Sequence, residues 1–158
     1  MKRLFAAVLI TAMVFPMSGC KALYQLDPAS KTEQQLVHTL HSGDGVTLSY
    51  FDELDYTNIE YEQIYWETND RLAIGPHEPW YAGVLYLTEE QADELWDEYE
   101  WEECEFPDIE LYDVEVPQTD SNVWCRSDEF DAYIASQAIR VENIVFDGSV
   151  IVFYLKVT

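Results

Sequence analysis

The sequence predicts an α+β domain, in which a mainly antiparallel sheet of five to six strands carries about three helices packed on one face. Three observations indicate this fold class. Several segments alternate apolar and polar residues, three others place apolar residues at helical spacing behind a capping residue, and Asp147-Gly148 separates two strand-like runs. The hydrophobic fraction is 48% of 158 residues, so we expect a single globular domain over residues 30–158.

The first predicted helix covers residues 31–42. Ser30 and Glu33 have the spacing of a capping box, and Gly43 is a natural stop. The apolar face of this helix would carry Leu36, Val37 and Leu40.

Alternating residues predict the next three strands. Residues 46–50 form the first, and residues 59–66 form the second, with a change of phase that indicates a β-bulge near Gln63. Residues 80–87 are typical of a buried strand, in which Gly83 is a candidate for another bulge.

The second predicted helix begins behind a second capping box, formed by Thr88 and Gln91, and ends near Glu102. Its inner stripe is Ala92, Leu95, Trp96 and Tyr99. Residues 109–116 then alternate as a strand, again with a change of phase.

Ser127 is positioned to cap the third predicted helix, whose inner face is Phe130, Tyr133, Ile134 and Ala138. Two last strands, 141–146 and 150–157, flank Asp147-Gly148. This dipeptide strongly favours a β-hairpin.

The first twenty residues have the pattern of an export signal. Lys2 and Arg3 precede an uncharged stretch over 4–15, which is too short to cross a bilayer of roughly 30 Å as a helix. Ser18-Gly19-Cys20 follows, and this end of the segment resembles the lipobox of bacterial lipoproteins, although Met17 replaces the usual leucine. The resemblance covers the signal only, and an ordinary secretory signal that ends near a cysteine is the alternative.

The lipoprotein resemblance implies that residues 1–19 are removed and that Cys20 is lipidated as the mature N-terminus. Residues 20–29 would then tether the domain to a membrane in the cell envelope, because two or more acyl chains give stable anchoring. Lys21 is not the aspartate that the family reads as inner-membrane retention. In a bacterium with two membranes, this favours the outer membrane.

The chain is strongly acidic. Two of its eight basic residues lie in the leader, so the mature chain has six against 31 acids, a formal charge of −25. No Lys or Arg occurs between Arg71 and Arg126, whereas sixteen acids do. This charge argues against nucleic-acid partners and against docking on anionic lipid. It is compatible with adaptation to a salty medium, loose cation binding, or docking of a basic partner.

Clustered carboxylates at the end of the second predicted helix form one candidate site. The cluster is Glu98, Glu102, Glu103 and Glu105. Negative charge at this end opposes the helix dipole, so we expect solvent cations, a calcium ion or a basic partner there. The adjacent pair Trp80-Tyr81, beside Pro79, is the second candidate, as aromatic residues exposed for ligand or partner binding. We expect Trp66 and Trp96 in the core.

Cys104 and Cys125 remain as an even pair in an oxidising compartment, and we expect them to form a disulfide. Two free thiols and a metal site are the alternatives, although the spacing matches no zinc motif. His38 and His41 have a spacing that can hold a metal with His77 or a carboxylate, but we interpret them as surface histidines. We predict no metal and no cofactor.

No pattern of catalytic residues stands out. A nucleophile elbow, a phosphate-binding glycine loop and a dinucleotide fingerprint are all missing from the sequence. The leading hypothesis is therefore a lipid-anchored envelope protein that acts as a non-enzymatic binding module for a basic protein or for cations. The alternative is a small envelope hydrolase or carbohydrate-binding protein, with an aromatic cleft and paired carboxylates.

Overall fold

The computed structural model describes residues 34–68, 78–118, 123–136 and 139–157. It contains a seven-stranded, entirely antiparallel sheet in the order β1-β2-β3-β7-β6-β5-β4. The strands are β1 (Gln34–His41), β2 (Tyr56–Thr68), β3 (Trp80–Leu87), β4 (Glu102–Cys104), β5 (Trp124–Arg126), β6 (Ile139–Phe146) and β7 (Val150–Val157). The helices are α1 (Glu89–Glu98), α2 (Asp128–Ala135) and a short 3-10 helix (Ser49–Phe51).

The α+β class agrees with the prediction, but the counts differ. The described ranges hold seven strands instead of five or six, and two α-helices instead of about three. The predicted leader, Cys20 and the tether lie outside these ranges.

Two apolar layers cover the two faces of the sheet. On the helix face, Ala92 and Leu95 of α1 and Phe130 and Ile134 of α2 pack with strand residues such as Leu85, Phe146, Ile151 and Phe153. On the opposite face, Val84, Val145 and Val152 are covered by Val114 and its neighbours, which belong to an irregular segment at 105–118. Both α-helices therefore lie on one face, as predicted, and we call residues 105–118 the strap.

The first predicted helix was wrong, because residues 34–41 form the edge strand β1. Leu36, His38 and Leu40 face Trp66, Ile64 and Glu62 of β2 in a continuous antiparallel register. Leu36 and Leu40 fit both a helical and a two-residue period, so pairing with β2 decides the conformation. The predicted capping box at 30–33 lies outside the described residues.

Other local predictions also need correction. Residues 46–50 are not a strand, because Ser49 begins the 3-10 helix and Phe51 is buried in the core. The sheet irregularity in β2 lies between Tyr56 and Asn58 and not near Gln63. No bulge occurs at Gly83, which instead permits close packing: an added Cβ would lie 2.5 Å from Cβ of Tyr61.

The helix caps and the last hairpin are confirmed. The Thr88 hydroxyl accepts a hydrogen bond from Gln91 N (3.2 Å), and Ser127 Oγ accepts one from Phe130 N (3.4 Å). Gln91 does not complete its box, because its Oε1 accepts from Asp55 N (2.9 Å). Gly148 has a φ of +98°, and Asp147 Oδ1 accepts from Val150 N (2.8 Å) across the turn. Helix α1 ends at Glu98, earlier than predicted.

The strap replaces the strand predicted at 109–116. Its backbone is held by Glu62 of β2, whose side chain is fully buried (0% exposed). The Glu62 carboxylate accepts hydrogen bonds from the backbone N–H groups of Tyr112 (2.8 Å), Asp113 and Val114 (2.8 Å). Three converging donors satisfy the carboxylate, so β2 holds the strap without a regular strand pairing.

Candidate binding surface on α1

The solvent side of α1 is a dense array of carboxylates around one tryptophan. All ten acids between residues 89 and 105 are exposed, and six of them lie on the helix itself. Those on the helix are Glu89, Glu90, Asp93, Glu94, Asp97 and Glu98. Trp96 is 48% exposed among them. We call Trp96 and the six acids of the helix the α1 acidic surface.

Aromatic packing holds Trp96 from below. Its ring meets Phe146 edge to face at 5.3 Å and lies 6.0 Å from Trp101. Trp101 is fixed in turn, because its indole Nε1 donates to the carbonyl of Leu95 at 2.8 Å. One side of the Trp96 ring is therefore anchored to the core while the other faces solvent, which pre-orders a large contact group.

The acids of this surface find no cation within the described residues. The ion pairs of Arg126 with Asp128 (2.8 Å), Arg140 with Glu142 (3.0 Å) and Lys156 with Glu78 (4.0 Å) all lie outside positions 89–105. Like charges also repeat at i,i+4 along α1, at Glu90, Glu94 and Glu98. Helix α1 has acids in its first turn and no basic residue in its last. The surface therefore presents an uncompensated negative field.

The four carboxylates predicted as one site do not converge. Glu98 is the last residue of α1, while Glu102 and Glu103 are adjacent in β4 and so point to opposite faces of the sheet. Glu105 follows in the strap and is exposed. Within the described ranges, no three potential ligands form a metal-binding group. Their arrangement suits a broad cationic surface better than a single bound ion.

A shallow cavity of about 160 Å³ lies beside this surface, lined by Glu100, Glu102, Arg126, Asp128 and Glu129. The Arg126 guanidinium lies in it and binds Asp128 Oδ1 at 2.8 Å. Four acids and one base line this cavity, so its charge is also negative.

A second cavity of about 140 Å³ opens where β5 and β6 diverge. Cys104, Arg126, Asp131 and Glu142 are among its lining residues. Burial raises the pKa of Asp131 to about 6, while nearby Arg126 lowers it and Asp128 raises it. Asp131 Oδ1 is buried and accepts no hydrogen bond from the described residues.

Trp80 and Tyr81 do not form one exposed pair. As neighbours in β3 they point to opposite faces, and both are partly buried. Trp80 packs edge to face on Tyr154 (6.1 Å) with Lys156 Nζ 5.7 Å from its centroid. Tyr81 packs on the helix face against Tyr50 and Tyr61.

The expected disulfide is not formed, because Cys104 and Cys125 are free thiols in this structure. Cys104 faces Trp124 across the β4–β5 ladder, while Cys125 faces Glu103. The two side chains therefore point to opposite faces of the sheet, which a disulfide cannot join without movement of the backbone. Burial raises the pKa of both thiols, which disfavours their thiolate forms.

His38 and His41 also point to opposite faces of β1 and cannot share a metal. His38 stacks on Tyr112 (4.8 Å) and its Nδ1 lies 3.0 Å from Asp113 Oδ2. His41 stacks on Tyr61 (4.6 Å). His77 lies outside the described residues.

Exposed apolar residues elsewhere were missed by sequence reasoning. Trp66 and Trp96 were assigned to the core, but they are 40% and 48% exposed. For Trp96 a signal was present: it lies at the border of the apolar stripe, three residues after Asp93 and four before Glu100. Leu40 of β1 is also exposed, and so is Tyr112 of the strap, which stacks on His38.

We found no match for this chain among protein-family models, curated protein sequences or solved structures. No helix in the described ranges is long and apolar enough to cross a membrane.

Proposed function

We propose that this chain is a lipid-anchored protein of the cell envelope that binds a basic protein through the α1 acidic surface. The observation that carries the proposal is the half-exposed Trp96, held by Phe146 and surrounded by acids that pair with no base in the described ranges. This surface offers both parts of a protein-binding hot spot, an anchored aromatic group and a complementary charge.

A basic protein fits this surface better than a free ion does. The carboxylates are spread along α1, whereas an ion needs several oxygens at one point. Arginine and lysine side chains can instead pair separately with individual acids. One of them can also lie over the open face of Trp96 in a cation–π contact, worth about 0.5–1 kcal/mol at an exposed site.

The hydrolase and carbohydrate-binding alternative has less support. Small-molecule sites usually enclose roughly 300–1,000 Å³ and are lined by apolar groups. The two cavities beside β5 measure about 140 and 160 Å³, and neither is lined by an aromatic residue. The most exposed aromatic residues of the described ranges line neither cavity; they are Trp66, Trp96, Phe106 and Tyr112.

Attachment through Cys20 is the second part of the proposal, and it rests on the lipobox resemblance of residues 18–20. An N-terminal anchor would hold the domain on the extracytoplasmic side of the membrane. Mass spectrometry of the chain purified from the envelope should find an acylated Cys20 as the first residue. An unmodified amino terminus would remove the anchor from the proposal without affecting the binding surface.

Binding of a basic peptide tests the surface. We expect an arginine- and lysine-rich peptide of about ten residues to bind in low salt, measured by isothermal calorimetry. Trp96→Ala should weaken binding about 2- to 5-fold, because it removes the aromatic contact. Asp93→Asn with Asp97→Asn should weaken it further and reduce its salt dependence.

Matched controls separate a site from total charge. Trp66→Ala removes a tryptophan of similar exposure on another surface, and Asp44→Asn with Glu115→Gln removes two exposed acids away from α1. These variants should bind the peptide almost as the wild type does. Equal losses in the control and α1 variants would show non-specific attraction and contradict the proposal.

A further inference from the structure

The two edges of the sheet differ sharply in length and in charge. The β4 edge has three residues, of which two are acids. The β1 edge has eight residues, QQLVHTLH, without Asp, Glu, Lys, Arg or Pro. Proteins normally protect long edge strands with charges, prolines or bulges, because unpaired backbone groups there recruit other strands. The β1 edge has none of these devices, and its register with β2 is continuous.

Exposed apolar side chains accompany this edge. Leu40 is 42% exposed on the strap face, and Trp66, directly opposite Leu36 in the register, is 40% exposed. Tyr112 of the strap stacks on His38 and is exposed as well. An added strand at β1 would therefore gain side-chain contacts as well as backbone hydrogen bonds.

We infer that β1 is a self-association edge, at which the β1 strands of two copies pair antiparallel around a twofold axis. A second copy is the occupant that the charge pattern favours. Two chains of this acidity repel each other over most of their surfaces, and β1 is an eight-residue strand without Asp or Glu where they can approach. The Asp113 carboxylate, 3.0 Å from His38 Nδ1, lies on its strap face. Antiparallel pairing of a strand with itself is isologous, so it closes as a dimer and does not grow into a fibre.

The geometry also leaves the proposed binding surface free. Helix α1 follows β3 and packs on the core, whereas β1 is separated from β3 by the whole of β2. In the described ranges no strand pairs with the outer side of β1. Self-association is thus independent of peptide binding by α1, and failure of one does not imply failure of the other.

Sedimentation equilibrium of the purified chain in density-matched detergent tests this inference. We expect a monomer–dimer equilibrium that strengthens as sodium chloride rises, because salt screens the repulsion between the two anionic chains. Leu40→Glu should weaken the dimer at least 10-fold, since it places like charges on both copies beside the paired edge. Val123→Glu is the matched control, because Val123 is also 42% exposed but lies next to β5. It should leave the dimer unchanged.

Hydrogen exchange identifies the paired segment. Backbone amides of residues 34–41 should exchange more slowly in the wild-type dimer than in the monomeric Leu40→Glu variant, while α1 amides should not differ. A wild-type chain that stays monomeric in high salt would overturn the inference. This would hold even if the β1 amides exchanged slowly because another part of the same chain covers them. A dimer that resists Leu40→Glu would overturn it too, and would indicate another interface or shared detergent micelles.

Discussion

At the scale of single residues, Glu62 is the least expected feature. A buried carboxylate is unfavourable unless hydrogen bonds compensate for lost hydration. Here three consecutive backbone N–H groups of the strap provide this compensation. The sequence gives no sign of the contact, because its partners lie about fifty positions apart in a chain with 31 acids. In such a sequence a structural acid cannot be distinguished from a solvated one.

Replacing Glu62 should loosen the strap. In Glu62→Gln, the amide oxygen can keep the bonds made to Oε1, but the negative charge is lost and the NH₂ group faces Tyr112 N, which donates to Oε2 at 3.1 Å. We therefore expect a loss of about 1–2 kcal/mol in the free energy of unfolding. Urea denaturation followed by tryptophan fluorescence measures the loss, and hydrogen exchange should show faster exchange at residues 112–114. Glu115→Gln, which changes an exposed acid in the strap, should have little effect. Equal stability of the two variants would contradict the anchoring role.

Asp131 should make stability depend on pH. Burial raises its pKa to about 6 in the folded chain, above the usual 3.8, so ionisation is less favourable after folding. The contribution of Asp131 to stability is therefore largest below pH 4 and is lost as the pH rises through 6. Asp131→Asn should raise the melting temperature by about 2–5 °C at pH 7.5 and change it little at pH 4.

Exposed Glu129 provides the control for this pH dependence. It lies on the same helix as Asp131 but is exposed, so Glu129→Gln should not produce a gain that appears only at neutral pH. A stabilisation by Asp131→Asn that is the same at both pH values would contradict the assignment to ionisation.

At the scale of elements, the sequence predicted what local interactions determine. Thr88 and Ser127 cap α1 and α2 through contacts within four residues, and Asp147-Gly148 turns the β6–β7 hairpin. These signals depend on neighbours in the chain, so one sequence is enough to find them. Strand β3 was also predicted with its observed bounds, because its apolar run is buried on both faces.

Elements that depend on distant partners were not predicted. β1 is a strand because eight residues of β2 pair with it, and the strap is irregular because Glu62 holds its backbone. Trp96 was assigned to the core because it lies at the border of the apolar stripe of α1, but its ring packs on Phe146 and is still 48% exposed. Of the candidate site, the acids at the end of α1 were found, but the tryptophan that makes this surface a plausible hot spot was not.

At the scale of the whole molecule, charge dominates. The basic residues in the described ranges, Arg126, Arg140 and Lys156, each pair with an acid, and most carboxylates have solvent as their only counterpart. Self-repulsion of this kind lowers the stability of the compact state and is reduced by salt. The same field attracts a basic partner and is again reduced by salt. Salt should therefore change folding and binding in opposite directions.

If charge alone is responsible, one salt titration should show both effects. Raising sodium chloride from about 20 mM to 1 M should increase the melting temperature by several degrees and lower the affinity for the basic peptide by about tenfold or more. Millimolar calcium at fixed ionic strength should add little to the melting temperature, because no described group of three ligands converges on one point. A calcium-specific rise would contradict diffuse screening and indicate a built ion site. A melting temperature that does not respond to sodium chloride would show that repulsion between the acids does not limit stability. Any effect of salt on peptide binding would then have to come from the contacts at Trp96 and its neighbouring acids alone.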